Sequence, residues 1–459
     1  MSIEPQTNGC AAEALGAFIC TTIPSPGVRK VASRMTRSVS NSKPALLLLL
    51  SYLAFVSLGL PDTVFGVAWP SLRDGFGLSE AALGAVLGAG LIGYFCSGLV
   101  AGRLIGAMGV GGVVCTSSAL VALALAAYAL APSWPTFFPV GALLGLGSGA
   151  IDAGLNAYAA RHFSVRHVNW LHACWGIGAS TGPLIMTAAI AHGWGYRGGY
   201  AALAGILGAM SVAFLYTRRL WSEGQSPGRS PPELAASAGA DPATQPSAIP
   251  SQAPTSLGSA SAALRRGRVW LQLAAFFLYT GLESTTGQWC FTLLRERHQL
   301  GIEGAGSWTS AYWASLTVGR IVLGGFADRF GPDRLLRWSS LGMLGGAALF
   351  ALGSGAVGRS GLLLLGLSLA PVFPTLMART PARLGDAVAR HAIGFQVSAA
   401  TLGSALLPSL TGVLVARFGL ASAPLLGLGA GLGFFAVHEC LLAATRTRPA
   451  TGSSARDAR

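Results

Sequence analysis

Gly324-Gly325-Phe326-Ala327-Asp328-Arg329-Phe330-Gly331-Pro332-Asp333-Arg334 joins two apolar runs, 306–327 and 332–354. Each run is about 20 residues long, the length that crosses the hydrocarbon of a bilayer as a helix. The glycines let two helices approach closely, and the aspartates can bond exposed N–H groups at a helix start. The arginines belong on the watery side of such a turn. The segment therefore reads as a tight polar turn between two membrane-crossing helices.

Working outward, the same pattern recurs along the chain. Apolar runs fall near 45–68, 80–103, 110–131, 136–160, 168–191 and 198–217, and again near 269–293, 306–327, 332–354, 360–378, 390–416 and 420–444. Twelve spans result, and an all-α membrane protein is expected. The strands of a β-barrel would be half as long and would alternate polar with apolar residues. Composition agrees. Mean hydropathy is +0.56, and 52% of residues are hydrophobic against 10% charged, where soluble domains carry about 25% charged. The net charge of +14 is scattered over short loops rather than gathered into a patch, so no nucleic-acid partner is expected. The seven cysteines include no C-x-x-C pair and mostly sit in apolar runs, which makes them small packing residues rather than metal ligands or disulfides. The apolar stretch at 11–23 has no basic segment before it and contains Glu13, unlike a cleavable signal peptide.

Residues 1–44 form a polar tail without a core, expected to be disordered. Two halves, 45–218 and 269–445, flank a Ser, Pro, Ala and Gly-rich linker at 219–268, and 446–459 is a second tail. With both termini in the cytoplasm, the inside segments carry 24 Lys and Arg. The outside ones carry six: Arg73, Arg197, Arg295, Arg297, Arg359 and Arg417. That asymmetry predicts an even number of spans with both ends cytoplasmic, in an inner (plasma) membrane.

The halves repeat one another. Gly59-Leu60-x-x-Thr63 returns as Gly281-Leu282-x-x-Thr285, Gly98-x-x-Ala101-x-Arg103 as Gly324-x-x-Ala327-x-Arg329, Gly145-Leu146 as Gly366-Leu367, and Gly178 with Pro183 as Gly403 with Pro408. Each match joins spans six apart at nearly one offset. Parallel six-helix repeats place a solute site at their interface, near mid-membrane.

The turn quoted first resembles the G-x-L-A-D-R-x-G signature of the major facilitator superfamily, in the place where that family carries it, between spans 8 and 9. Its copy after span 2 is degenerate, with Gly102 standing where the aspartate would be. Gly147-Ser148-Gly149-Ala150-Ile151-Asp152-Ala153-Gly154-Leu155-Asn156, Asn169-Trp170-Leu171-His172 and Leu369-Ala370-Pro371-Val372-Phe373-Pro374-Thr375 are similar to the fucose permease-like branch. The resemblance covers about residues 45–445. It implies the major facilitator fold, twelve transmembrane helices in two pseudo-symmetric halves, and a gating role for Gly324, Asp328, Arg329 and Gly331. It also implies a proton-linked role for Asp152, whose acidic type and following asparagine match the branch.

Ionisable groups inside spans are costly and usually face a cavity. Asp62, Asp152, Glu283 and Arg320 are such groups. Ser148, Asp152 and Asn156 lie at i, i+4 and i+8, on one helix face. A desolvated carboxyl takes a proton readily, as proton coupling requires. Asp62 follows Pro61, which removes a backbone donor. At 1.5 Å per residue Asp62 lies about 25 Å into its span and Asp152 about 12 Å from the cytoplasmic end of its own, so spacing alone puts them at different depths. Glu283, in nearly the repeat-equivalent place, completes the proton-coupling candidates. For a sugar, rings and amides are suitable partners: Asn156, Trp175, Gln288, Trp289, Tyr312 and Gln396, with Trp69, Trp313 and His172 as further polar or aromatic groups in spans. Most membrane tryptophans anchor at interfaces instead.

Two enzyme-like strings carry no enzymatic meaning. Gly88-Ala89-Gly90-Leu91-Ile92-Gly93 fits G-x-G-x-x-G inside span 2 without a preceding strand. Gly178-Ala179-Ser180-Thr181-Gly182 fits G-x-S-x-G inside span 5, away from any strand-to-helix elbow. With no Walker motif and no zinc spacing, the chain is expected to be no enzyme, to need no cofactor or metal, and to act as a monomer. Its expected partners are the lipid bilayer, protons and a small polar solute, a sugar above all, taken up by symport. The alternative is an exporter of amphipathic compounds by proton antiport, which the Gly182-Pro183 pair in span 5 suggests.

Overall fold

In hydrocarbon a backbone N–H finds its partner in its own helix or in a closed sheet, and the apolar runs fold as helices. The computed structural model describes residues 45–163, 165–221, 263–323 and 329–446. The linker at 222–262, both tails, Gly324 and Asp328 lie outside them. The chain divides into two compact units, Met1–Leu50 and Ser51–Arg459. Of the first, residues 45–50 are described and are helical.

In the second unit, α1 covers residues 51–62, followed by α2 (Phe65–Phe76), α3 (Leu83–Leu130), α4 (Trp134–Phe137), α5 (Val140–His162), α6 (Val165–Ala191) and α7 (Gly195–Thr217). After the linker come α8 (Gly267–Thr292), α9 (Ile302–Leu323), α10 (Pro332–Leu352), α11 (Gly355–Leu369), α12 (Val372–Leu384), α13 (Asp386–Phe418) and α14 (Ser422–Arg446). Spans 2 and 3 merge in α3, which breaks its helical geometry at Gly109 (φ 72°, ψ 169°), a conformation open to glycine. Spans 1 and 10 are each two helices, α1 with α2 and α11 with α12. Among the described residues, nine helical stretches are long and apolar enough to cross a membrane. α8 and α9 are not among them, because polar groups such as Gln272, Glu283, Thr285, Gln288, Thr309 and Thr317 lower their hydropathy. They belong to the twelve-helix fold and face its interior.

The repeated glycines are contact points, and the contacts repeat too. A β-carbon on Gly178 would strike the Val56 carbonyl, so α6 lies against α1; on Gly403 it would strike the Phe277 carbonyl, so α13 lies against α8 in the same way. Gly145 is pressed on the Gly90 carbonyl and Gly366 on that of Tyr312. Small residues let helices in lipid gain dispersion energy at close range.

The two halves meet along α2/α8, α3/α13 and α6/α9. Gly66 lies against Gln288, Gly84 against Ser409 and Gly306 against Thr187. Arg73 binds Glu80 in its own half and Glu296 of the other, at 3.0 Å. These pairs lie toward one face of the bundle, here the Arg73 face. Toward the opposite face, where α12 gives way to α13, α5 makes no comparable packing with α12 or α13 among the described residues. The cleft between the halves therefore opens there.

A carboxylate-lined cleft between the halves

α5 carries Asp152 one helical turn before Asn156. Asn156 Nδ2 donates to Asp152 Oδ1 at 2.8 Å, and the Tyr94 hydroxyl of α3 donates to Oδ2 at 2.6 Å. α3 reaches α5 this closely because Gly149 is pressed on the Tyr94 carbonyl. Both partners of Asp152 are neutral hydrogen-bond donors, and all three residues are part-exposed. Ser148, on the same face, is buried.

Asp62 ends α1, where the chain turns at residues 63–64 before α2. Thr63 Oγ1 donates to the Ala179 carbonyl at 2.7 Å, which ties the break to α6. Trp175 Nε1, also from α6, donates to Asp62 Oδ2 at 2.9 Å. Asp152 is near enough for its charge to act on Asp62. Spacing had put the two at different depths, and the structure corrects this. The span continues beyond Asp62 as α2, to Phe76, so Asp62 stands at the break between two helices and not near the span's end. Asp62 is exposed although it lies within the bundle, as a group lining an open cleft does.

The other half supplies Glu283 and Arg320. Arg320 Nη2 is 3.7 Å from Glu283 Oε1, and the Tyr279 hydroxyl also binds Glu283. The Arg320 guanidinium lies over the Trp175 ring, 5.3 Å from its centroid, a cation–π contact that crosses between the halves. Trp175 meets Trp313 edge-on at 6.0 Å. His172, one turn before Trp175 on α6, is exposed, packs edge-on against Phe55 at 5.4 Å and feels the charge of Arg320. Trp175 thus links Asp62 to Arg320 and Glu283, and Asp152 with Asn156 lies within reach of Asp62.

The remaining candidates divide. Tyr312 is fully buried and donates to the Glu283 carbonyl at 2.9 Å, so it holds the helix bearing Glu283. Gln288 is buried at the α2/α8 seam, and its Oε1 has no partner. Trp289 does not line the cleft: it is buried, donates to the Pro408 carbonyl at 3.1 Å, and borders a small space beside Leu282, Thr285 and Phe350. Gln396 is also turned inward, bonded to Gln272 and Thr380. Trp69 donates to Glu80 at 2.7 Å beneath the Arg73 face. Of the turn between spans 8 and 9, Gly324 and Asp328 fall outside the described residues. Arg329 is exposed, and Gly331 (φ 83°) starts α10. Its last acid, Asp333, binds Arg379 at 2.7 Å and Arg383 at 3.1 Å. Sequence reasoning missed Tyr94 and Tyr279. A single hydroxyl in an apolar run has no periodic signal, and each is found by its distance to a carboxylate.

Two six-helix repeats around a polar cleft define a helical membrane carrier. The Major Facilitator Superfamily profile matches residues 51–408, and the chain belongs to that family. It is 24% identical to Saccharomyces cerevisiae "Bypass of stop codon protein 6", over 81% of this chain and 77% of that protein. It is 27% identical to a gallate transporter of Pseudomonas putida, over 87% and 91%. Its fold is similar to that of the E. coli fucose:proton symporter FucP, with TM-score 0.57 at 16% identity over 87% of this chain and 99% of that one. The chain is a multi-pass membrane transporter and not an enzyme.

Proposed function

We propose that this transporter couples uptake of a small polar solute to protons, with Asp152 and Asp62 as the groups that take and release the proton. The observation that supports this reading is that both line the cleft, each held by neutral donors, with Asp62 in reach of the Asp152 charge. A proton on such a carboxyl removes charge from a costly environment before the carrier reorients. A sugar fits the hydroxyl-binding groups Asp62, Asp152 and Asn156, and FucP carries a sugar with a proton. In the reading proposed, both termini lie on the cytoplasmic side of the inner membrane and the carrier works as a monomer.

The export reading rested on Gly182-Pro183. Gly182 is pressed against the Leu60 carbonyl, a packing reason that holds for either direction of transport, so this pair no longer favours export.

The test is paired, in proteoliposomes, with labelled fucose and gallate as first solutes. Asp152→Asn mimics the protonated state, so it is expected to keep solute exchange across the membrane and lose accumulation driven by a pH gradient. Full pH-driven accumulation in that variant would make Asp152 structural and end the proton-linked assignment.

A further inference from the structure

Arg320 is a cation in a cleft otherwise lined by carboxylates. A guanidinium offers five N–H donors in a planar fork, and a carboxylate that satisfies it closes on two of them below about 3 Å. Arg337 does this with Glu439, whose Oε1 is 2.7 Å from Nε while Nη2 binds Oε2. Glu283 does not do so for Arg320. One contact at 3.7 Å joins them, and the other carboxylate oxygen of Glu283 is held by Tyr279. The charged and titratable groups around the guanidinium are Glu283 and Tyr279 of α8, Tyr312 of its own α9, and His172 of α6. The guanidinium also donates to the Tyr279 hydroxyl, and the Arg320 side chain remains 21% exposed, so the protein fills its fork only in part. The same Trp175 indole that lies under Arg320 donates its N–H to Asp62. A donor fork thus shares Trp175 with one hydroxyl acceptor, Asp62, and the cleft adds Asp152 and the Asn156 amide oxygen.

We infer that the solute is a small hydroxylated monocarboxylate, bound with its carboxylate on Arg320 and its hydroxyls toward Asp62, Asp152 and Asn156. This rests on the reading of the cleft as the solute site. An uncharged sugar would leave the fork of Arg320 unused, whereas a sugar acid or a hydroxybenzoate engages both ends. Glu283 is the built-in competitor: it stands beside Arg320, and the solute carboxylate takes its place. Because Arg320 belongs to one half and Asp62 and Trp175 to the other, such a solute joins the halves when it binds.

The experiment uses the full-length protein in detergent at one fixed pH, so no gradient enters. Thermal stability is followed with D-gluconate, D-glucuronate and 3,4-dihydroxybenzoate, each beside an uncharged counterpart: D-glucitol, D-glucuronamide and 3,4-dihydroxybenzamide. At least one acid is expected to stabilise the protein while its counterpart does not. The charge-neutral double variant Arg320→Gln/Glu283→Gln, which leaves no buried partner stranded, is expected to bind that acid about tenfold more weakly or worse. Glu283→Gln alone is expected to bind it several-fold more tightly. No shift with any acid, an equal shift with the counterpart, or undiminished acid binding by the double variant overturns the inference. Asp62→Asn separates the two levels. If it abolishes binding of an uncharged counterpart, the cleft remains the solute site and the carboxylate assignment fails; if acid binding ignores both Asp62 and Arg320, the cleft reading itself fails.

Discussion

Asp333 and Asp152 show two uses of one side chain. Asp333 accepts from Arg379 and from Arg383, whose side chain is 2% exposed. Its removal strands a buried cation, so Asp333→Asn is expected to destabilise the protein by about 1–3 kcal/mol, below the usual cost of breaking a buried pair because Asp333 is partly exposed. A lowered melting temperature in detergent checks this, and an unchanged one would show that the two arginines find other partners. Asp152 has two neutral partners and strands no charge, so Asp152→Asn is expected to melt close to the native protein. The contrast also marks what could be read beforehand. Asp152 announced itself by sharing a helix face with Ser148 and Asn156. Trp289 and Gln396 are of suitable type for a solute site, yet they bond inward to Pro408, Gln272 and Thr380. Residue type carries no information about which way a buried helix face is turned.

At the scale of elements, the informative places are the breaks and the close approaches. α1 stops at Asp62 and α11 at Leu369, each near a proline, and in each a threonine hydroxyl takes up a backbone carbonyl nearby: Thr63 that of Ala179, Thr375 that of Pro371. Such breaks are tolerated in lipid where side chains replace the lost hydrogen bonds. The glycines Gly178 and Gly403 let α6 and α13 touch α1 and α8. Either one changed to leucine is expected to push backbones apart and cost at least about 1–3 kcal/mol, read as loss of folded protein after extraction. Gly98 meets nothing within 4 Å, so Gly98→Ala is expected to change yield and melting temperature little. Equal losses at Gly98 and Gly178 would show that glycine acts through the helix backbone and not through these contacts.

The whole molecule is caught with its Arg73 face closed. Arg73 ties the end of α2 to Glu296 of the other half, beside the glycine contacts of Gly66, Gly84 and Gly306. A carrier that alternates must part these pairs. A partly exposed ion pair is worth about 0–1 kcal/mol, so Glu296→Gln is expected to raise the share of molecules open at this face by a few-fold at most. Spin labels at Ser79 and Gln299, on the two sides of the seam, would report it as a second, longer distance. An unchanged distance distribution would mean that the glycine seams alone hold the face shut.

Sequence alone was sufficient for the class of molecule. Apolar runs of membrane length admit few folds once every backbone group must be satisfied internally, and glycines recurring at one offset declare two copies of one unit. Those signals are local or periodic, so they survive in a string of letters. The relation of Asp62 to Asp152, the reach of Arg320 over Trp175 and the identity of Tyr94 as a partner of Asp152 are neither local nor periodic. Each depends on where one span breaks and on how far one helix slides along another before its glycines meet a carbonyl. Those offsets are set by many small packing contacts summed across the bundle, and tertiary structure alone decides them.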